Sequence, residues 1–429
     1  MKNNKIKIAI VGVGYVGLPI ALKFGQFFDT IGFDINEKKI NNLKKNIDSN
    51  NEFKKNDFKK SLNLIFSKDA TSLLDRNIFI VCIPTPISKN KKPDLKLIFD
   101  TCDIIAKFLN PKDLIIFEST FYPGLTEEVL IPYLEKKTKL TNIKNNKIAT
   151  NKNFYVGYSP ERINPGDRKY NLENINKIIS SNNNHALKII KKIYSKIIKA
   201  KLVEVSSIKV AEAAKVIENT QRDINIALIN EFTQIFKKLD IDTNEVLKAA
   251  GTKWNFLKFK PGFVGGHCIG VDPYYLSYKS IKSGYRPKII LTGREINDNM
   301  PKIVFNEIMN LSKKKNIKLD QCKILIFGAT FKENVSDTRN SKVLDLVEMF
   351  LKKNSNVFVY DPLVKFIDNK KINLITKMKN NFYDIIIYAV NHKNFKYFTI
   401  NKINKLRKDN SIFYDLNYVF DKKSVDLRL

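Results

Sequence analysis

Cysteine is scarce in this chain of 429 residues: Cys82, Cys102, Cys268 and Cys322 form no CxxC pair and have no histidine cluster beside them. That pattern excludes the usual zinc motifs and a disulfide framework, so no metal is expected. Long apolar runs are also missing. The run Ile8 to Leu22 follows a basic start and loosely resembles a signal peptide, but it contains Gly12, Gly14, Gly17 and Pro19. It is shorter than the roughly 20 apolar residues that span a bilayer. No membrane insertion is expected, and the expected location is the cytoplasm. A fixed-period repeat is absent, which excludes a solenoid. Acidic residues are few beside basic ones, 43 against 75, for a formal net charge of +32. Such a charge invites a nucleic-acid reading. The lysines are spread along the whole length, however, and clusters such as Lys59-Lys60, Lys191-Lys192 and Lys313 to Lys315 read as solvated helix faces and turns. No arginine-rich stripe with interleaved aromatics occurs. No nucleic-acid partner is expected, while an anionic substrate would benefit from the positive field.

What is present is the composition of a globular protein, 43% hydrophobic and 28% charged, in a chain longer than one core usually supports. Apolar runs at Lys5–Val11, Thr30–Ile35, Asn77–Ile83, Asp113–Glu118 and Phe154–Tyr158 alternate with helical patterns. This rhythm predicts βαβ units and a parallel sheet. The Lys- and Asn-rich stretch Lys136–Lys152 reads as a loop. From Ser206 to Asp240 apolar residues recur at helical spacing (Val210, Ala213, Ala214, Ile217, Ile224, Leu228, Phe232, Ile235, Leu239) with no Pro or Gly. This predicts a helix of roughly 50 Å, long enough to bridge domains or to pack on a second subunit. A further helix is expected around Asn244–Ala250, ending at Gly251. Strand rhythm resumes at Lys323–Phe327, Val357–Tyr360, Asp384–Ala389 and Ile412–Tyr414, without a second GxGxxG. A smaller doubly wound domain holding something other than a dinucleotide is the expectation.

Three constellations carry chemistry. Gly12-Val13-Gly14-Tyr15-Val16-Gly17 follows a predicted strand and opens a helix, as a pyrophosphate-binding turn requires. Asp34 lies 22 positions after Gly12, at the end of the second strand, where a carboxylate accepts the ribose hydroxyls and repels a 2′-phosphate. NAD is therefore expected over NADP. The second constellation is Gly265-Gly266-His267-Cys268-Ile269-Gly270-Val271-Asp272. Glycines allow close approach of a substrate, and a nearby His or Lys lowers a thiol pKa towards the reactive thiolate. A buried cysteine in a structural turn explains that loop equally well by itself, and His267 reads better as a structural hydrogen-bonder than as a base. The third is Lys215 and Asn219, at i and i+4 on the long helix, which together suggest a polar pocket.

The blocks IAIVGVGYVGLPIA, IPTP, EST, SPERINPGD, AEAAKVIENT, PGFVGGHCIGVDPYYL, FKENVSDTRNS and VYDP resemble the UDP-glucose/GDP-mannose dehydrogenase family over essentially the whole chain. SPERINPGD and GGHCIGVDPYYL are most similar to the UDP-N-acetylhexosamine 6-dehydrogenases of bacterial capsule and O-antigen pathways. The resemblance implies an α/β protein: an N-terminal Rossmann-like NAD-binding domain (1–204), a central part with a long dimerisation helix and the cysteine loop (205–305), and a smaller C-terminal Rossmann-like UDP-binding domain (306–429). It implies NAD as cofactor, a UDP-sugar substrate, a homodimer, and oxidation of the sugar CH2OH to a carboxylate in two steps. Cys268 would be the nucleophile. Lys215, Asn219 and Asp272 would stabilise the oxyanion and position water, Thr120 would contact the reacting hydroxyl or its water, and Glu161 would assist thioester hydrolysis. Gly12, Gly14, Tyr15, Val16, Gly17, Asp34, Thr85, Thr120 and Lys332 would touch the cofactor. Glu161, Arg162, Lys215, Asn219, Gly265, Gly266, Arg294, Lys332 and Arg339 would touch the substrate, with Arg294 reaching across the dimer. A second carboxylate that UDP-glucose dehydrogenases often carry four positions after the Glu161 equivalent is replaced by Pro165.

Within the family, UDP-glucose, GDP-mannose or UDP-N-acetylmannosamine are the alternative substrates. A two-electron hydroxy-acid dehydrogenase of similar plan is opposed by the cysteine loop. A non-enzymatic nucleotide or nucleic-acid binder is opposed by the intact set Gly12, Gly14, Gly17, Asp34, Lys215, Asn219, Cys268 and Asp272.

Overall fold

IFIV at Ile78–Val81 and LIIF at Leu114–Phe117 are buried at every position, as strands are when helices cover both faces of a sheet. The computed structural model describes residues 5–50, 52–88, 90–163, 170–267 and 269–429. Its first strands are β1 (Lys7–Val11), β2 (Asp29–Phe33), β3 (Leu64–Ser67), β4 (Ile78–Val81), β5 (Leu114–Phe117), β6 (Thr141–Asn142), β7 (Asn153–Tyr158), β8 (Lys177–Ser181) and β9 (Leu202–Glu204). They order as β3-β2-β1-β4-β5-β7-β8-β9, with β6 added against β7. All of these pairs are parallel except β7–β8. The strand order reverses between β1 and β4, and in such sheets ligands bind outside the carboxyl ends at that switch point. The core beneath it packs Ile8, Ile10, Phe24, Ile80, Ile116, Ile190 and Tyr194.

The second sheet contains β10 (Lys323–Phe327), β11 (Asn356–Tyr360), β12 (Asn373–Ile375), β13 (Tyr383–Tyr388), β14 (Arg407–Asp415) and β15 (Leu427–Arg428). Its order is β12-β11-β10-β13-β14-β15, parallel throughout. The expected strands are present with ends shifted by a few residues. The strands that sequence rhythm missed, β3, β6, β8, β9, β12 and β15, are short or open on polar residues. β6 lies inside the stretch expected to be loop, where Thr141 N–H donates to the Lys152 carbonyl at 2.9 Å.

The long helix runs Ile208–Lys238, 31 residues. Lys237 and Lys238 in its last turn complement the helix dipole, and Asp240 in the left-handed region (φ 55°) follows its end. The helix Thr243–Ala250 begins at Asp242, whose side chain accepts the Glu245 N–H, and closes at Gly251. By contacts the chain divides into one unit of Met1–Glu218 with Tyr274–Tyr285 and another of Asn219–Pro273 with Arg286–Leu429, the first border falling inside the long helix. Among the described residues no helix is long and apolar enough to cross a membrane.

Candidate active site

Each glycine of the turn after β1 answers a different constraint. Gly12 has φ +92°, and a Cβ there would lie 2.9 Å from the Cys82 carbonyl oxygen. On Gly17, the first residue of the helix Gly17–Phe24, a Cβ would lie 1.8 Å from the Gly12 oxygen, whereas on Gly14 it would meet nothing within 4 Å. Gly14 therefore leaves room for a ligand, while Gly12 and Gly17 hold the turn against the sheet. Tyr15 and Val16 lie half-buried at the mouth of this helix. Asp34, just past β2, accepts the Val13 N–H at 3.2 Å, the Asn36 N–H at 2.9 Å and the Lys39 ammonium at 2.7 Å. The turn and the carboxylate are thus one hydrogen-bonded piece.

The turns after β4, β5 and β7 are stitched together in the same unit. Thr85 Oγ1 donates to the Thr120 carbonyl at 2.8 Å and Ser119 Oγ to that of Ile83 at 2.7 Å. Tyr275, buried, donates to the Pro86 carbonyl at 3.2 Å. Glu161 follows Ser159-Pro160, and its Oε1 accepts the N–H groups of Arg162 and Ile163. Arg162 pairs with Glu218 at 2.7 Å and donates to the Asn176 carbonyl at 2.9 Å. Behind this turn Glu118 and Lys177 form a buried ion pair at 2.5 Å. Burial pushes the Glu118 carboxyl up to about 7, against the pull of Lys177. On the long helix Lys215 is buried. One turn before it Glu212, also buried, accepts the Gly124 N–H at 2.5 Å and both the N–H (2.9 Å) and hydroxyl (2.7 Å) of Thr126. Burial raises Glu212 to about 7 despite these donors. Sequence reading missed Glu118, Lys177 and Glu212. Glu118 stood inside the quoted EST block and Glu212 inside AEAAKVIENT, but no local spacing marks Lys177.

In the other unit Asn219 Nδ2 donates to Asp272 Oδ2 at 2.6 Å, joining two expected residues 53 positions apart. Asp272 is buried and opens the helix Asp272–Lys282. The cysteine loop is clamped before it reaches Cys268. Asn230 on the long helix accepts the Gly262 N–H at 2.8 Å and donates to the Gly262 carbonyl at 3.0 Å. A Cβ on Gly265 would lie 2.5 Å from the Asn340 carbonyl oxygen, and one on Gly266 (φ +82°) would lie 2.6 Å from the Phe331 ring. His267 faces Asp337, with Nδ1 3.8 Å from Oδ2, and burial with the Arg339 charge lowers its pKa. Cys268 lies outside the described residues. The described cysteines are buried, and burial pushes Cys82 well above the ordinary thiol value and Cys102 and Cys322 up to about 12. All three are inert at neutral pH.

The block around Lys332 and Arg339 is braced from below. His392, fully buried, accepts the Asn334 N–H on Nδ1 at 2.9 Å, so its proton sits on Nε2, 3.1 Å from Asp361 Oδ2. Arg339 is exposed and holds Asp337 through Nε at 2.9 Å and a terminal nitrogen at 2.7 Å. Arg294 is placed differently from an open substrate contact. It is 2% exposed, with one terminal nitrogen 2.6 Å from Asp223 and the other 2.5 Å from Asp298. Its first role in this structure is to join the long helix to the helix Lys288–Lys314.

Known families match this arrangement throughout. Residues 6–198 match the NAD binding domain of the UDP-glucose/GDP-mannose dehydrogenase family, 209–299 its central domain, and 325–422 its UDP binding domain. The chain belongs to the UDP-glucose/GDP-mannose dehydrogenase family. Its relatives include the UDP-N-acetyl-D-glucosamine 6-dehydrogenase of Salmonella typhi, 45% identical over 429 residues and 99% of each chain. That of Pseudomonas aeruginosa is 46% identical over 427 residues, again 99% of each. Among solved structures, a UDP-D-ManNAc dehydrogenase from Pyrococcus horikoshii aligns with a TM-score of 0.86 at 29% identity, covering 99% of this chain and 98% of that one.

As a family member the protein is an NAD-dependent nucleotide-sugar dehydrogenase. The first unit fits that cofactor: a Cβ on Gly14 would meet nothing within 4 Å, the room that a pyrophosphate turn requires, and the Asp34 carboxylate is bonded to the same turn.

Proposed function

We propose that this protein oxidises the C6 hydroxymethyl group of a UDP-N-acetylhexosamine, UDP-N-acetylglucosamine foremost, to the carboxylate for surface-polysaccharide synthesis. The observation that carries the reading is the Asn219–Asp272 hydrogen bond at 2.6 Å, on the buried residue that closes the glycine-bounded cysteine loop. Near-complete alignment with two UDP-N-acetyl-D-glucosamine 6-dehydrogenases supports the choice of sugar.

NAD supplies the hydride acceptor for both oxidations. The first oxidation leaves an aldehyde, which lacks the hydroxyl-bearing carbon needed for a second hydride loss. Addition of the Cys268 thiolate restores such a carbon as a thiohemiacetal, whose oxidation gives a thioester and whose hydrolysis gives the uronate. In this reading Thr120 holds the reacting hydroxyl, and Lys215 and Asn219 stabilise the oxyanion, with donors in such sites worth about 3 kcal/mol each. Asp272, fixed by Asn219, and Glu161 handle water and its proton. Lys332 and Arg339 hold the diphosphate. NADH formation from a panel of UDP- and GDP-sugars tests the substrate, with the largest kcat/KM expected for UDP-N-acetylglucosamine or its galacto epimer. A larger value for UDP-glucose, GDP-mannose or UDP-N-acetylmannosamine would overturn the sugar and leave the family intact. Cys268→Ala is expected to lose several powers of ten in uronate formation while retaining NAD and UDP-sugar binding. Two NADH per uronate at near wild-type rate from that variant would end the covalent mechanism.

The division into 1–204, 205–305 and 306–429 belongs to the same proposal, as does a cytoplasmic location. So does a homodimer built on the long helix. Val210, Ile217, Leu228 and Ile235 are 44–53% exposed, and at about 100° per residue they fall on one stripe of that helix.

A further inference from the structure

The Glu118–Lys177 cluster behind the Ser159–Glu161 turn has no part in the reaction as written. Lys177 opens β8 and is 3% exposed, while Glu118 follows β5 and is 1% exposed. Lys177 Nζ donates to Glu118 Oε2 at 2.5 Å, to the Ser159 carbonyl at 3.3 Å and to the Pro160 carbonyl at 3.2 Å. All three protons of the ammonium are thereby directed. Its nitrogen also lies 5.4 Å from the centroid of the Tyr194 ring, and the Tyr194 hydroxyl donates to the other Glu118 oxygen. Glu161 is the residue directly after those two carbonyls. Its N–H donates to the Glu118 carbonyl at 3.3 Å. Its Oε2 is buried 4.0 Å from Lys177 Nζ and has no hydrogen-bond partner among the described residues.

A buried ion pair is poor evidence of stabilisation, since apolar residues of similar volume often serve as well. This one grips the two peptide carbonyls that lead into a residue of the reaction. We propose that Lys177, held by Glu118 and Tyr194, is a positioning residue that aims Glu161 and stands beside its Oε2 so that this oxygen can accept a proton from the hydrolytic water. The inference rests on reading Glu161 as the residue that assists thioester hydrolysis. In that step the water oxygen bonds to the thioester carbon and one water proton passes to Glu161 Oε2. The C–S bond then breaks, and its electron pair leaves with Cys268 Sγ as thiolate. The groups around Glu161 are Cys82 after β4, Glu118 after β5, Lys177 on β8, Tyr194 on the helix Asn184–Ile197 and Arg162 beside it, itself paired with Glu218. Without the ammonium, two carboxylates share a dry site and one takes up a proton.

Three variants of the full-length enzyme decide the matter: Glu161→Gln, Lys177→Met and the double variant Glu118→Leu/Lys177→Met, which removes both halves of the Glu118–Lys177 pair together. Each is assayed with NAD and UDP-N-acetylglucosamine for the first-turnover NADH burst, for acyl adduct on the enzyme by intact mass, and for the pH profile of kcat. Glu161→Gln and Lys177→Met are both expected to keep the burst and the KM for NAD, to slow kcat by about tenfold or more, and to accumulate adduct. The acidic limb of kcat in Lys177→Met should move up by about one pH unit. An unchanged Glu161→Gln would overturn the role given to Glu161. A slow Glu161→Gln beside a Lys177→Met that clears its adduct at wild-type rate would overturn the positioning role. So would a Lys177→Met that loses burst and hydrolysis together. Should Lys177→Met fail to fold, the double variant decides: adduct accumulation supports the inference, and wild-type clearance overturns it.

Discussion

Two glycines of one turn, equally plain in sequence, make opposite predictions. Gly17→Ala drives a Cβ into the Gly12 carbonyl at 1.8 Å, so the helix must shift off the sheet and the melting temperature should fall by several degrees, in line with a cost of about 1–3 kcal/mol. Gly14→Ala meets nothing in the protein itself. Its melting temperature should hold while the KM for NAD rises, and a thermal melt beside an NAD titration separates the two. Asp34→Ala should raise the KM for NAD and relax discrimination against NADP, because the repulsive carboxylate is gone. Wild-type turnover with NADP equal to that with NAD would contradict the role assigned to Asp34. Glu212 adds a pH dependence. Burial lifts it from 4.5 to about 7, so between these values the folded state holds a proton that the unfolded chain has lost. By linkage its contribution to stability falls as pH rises through that window. Glu212→Gln cannot ionise and should flatten that part of the curve in denaturant titrations. It should also cost about 1–3 kcal/mol, because an amide nitrogen replaces an acceptor of the Gly124 or Thr126 donors.

The long helix is the element most completely legible in the sequence, since 31 residues without Pro or Gly leave few alternatives. Its partners were not legible. Asn230 looks like any polar residue in the pattern, yet it is fully buried and bonds both backbone groups of Gly262 and the Asn297 side chain at 2.8 Å. Asn230→Ala should lower stability by about 2–4 kcal/mol in urea unfolding and lower kcat more than it raises the KM for NAD, because the loop that leads to Cys268 loses its tether. Its exposed apolar stripe carries the dimer prediction. Ile235→Glu, at a position 45% exposed, should keep the monomer fold and shift the light-scattering mass towards one chain. An unchanged mass would remove the stripe from the interface. Strand β8 is the opposite case. It opens with Lys177, which no local pattern marks and which the fold leaves only 3% exposed.

At the scale of the whole molecule the +32 charge predicts a salt dependence. The KM for a UDP-sugar should rise several-fold between about 0.05 and 0.5 M salt, as the Debye length shrinks below about 10 Å, with kcat nearly constant. The two sheets, the long helix, the glycine turn with Asp34 and the cysteine loop were all readable along the chain. Each is a local pattern, a short apolar run, a period of 3.6 or a fixed spacing, that a short peptide segment already expresses. The Asn219–Asp272 bond, the clamp on Gly265 and Gly266, the commitment of Arg294 to Asp223 and Asp298, and the Glu118–Lys177 pair were decided only by tertiary structure. Apart from Arg294–Asp298, four positions apart on one helix, each joins residues 53 or more positions apart, and the Asp223–Arg294 pair, 71 positions apart, bridges two helices. A charged side chain carries no local sign of whether water or a buried partner will satisfy it, because that depends on which distant elements close over it.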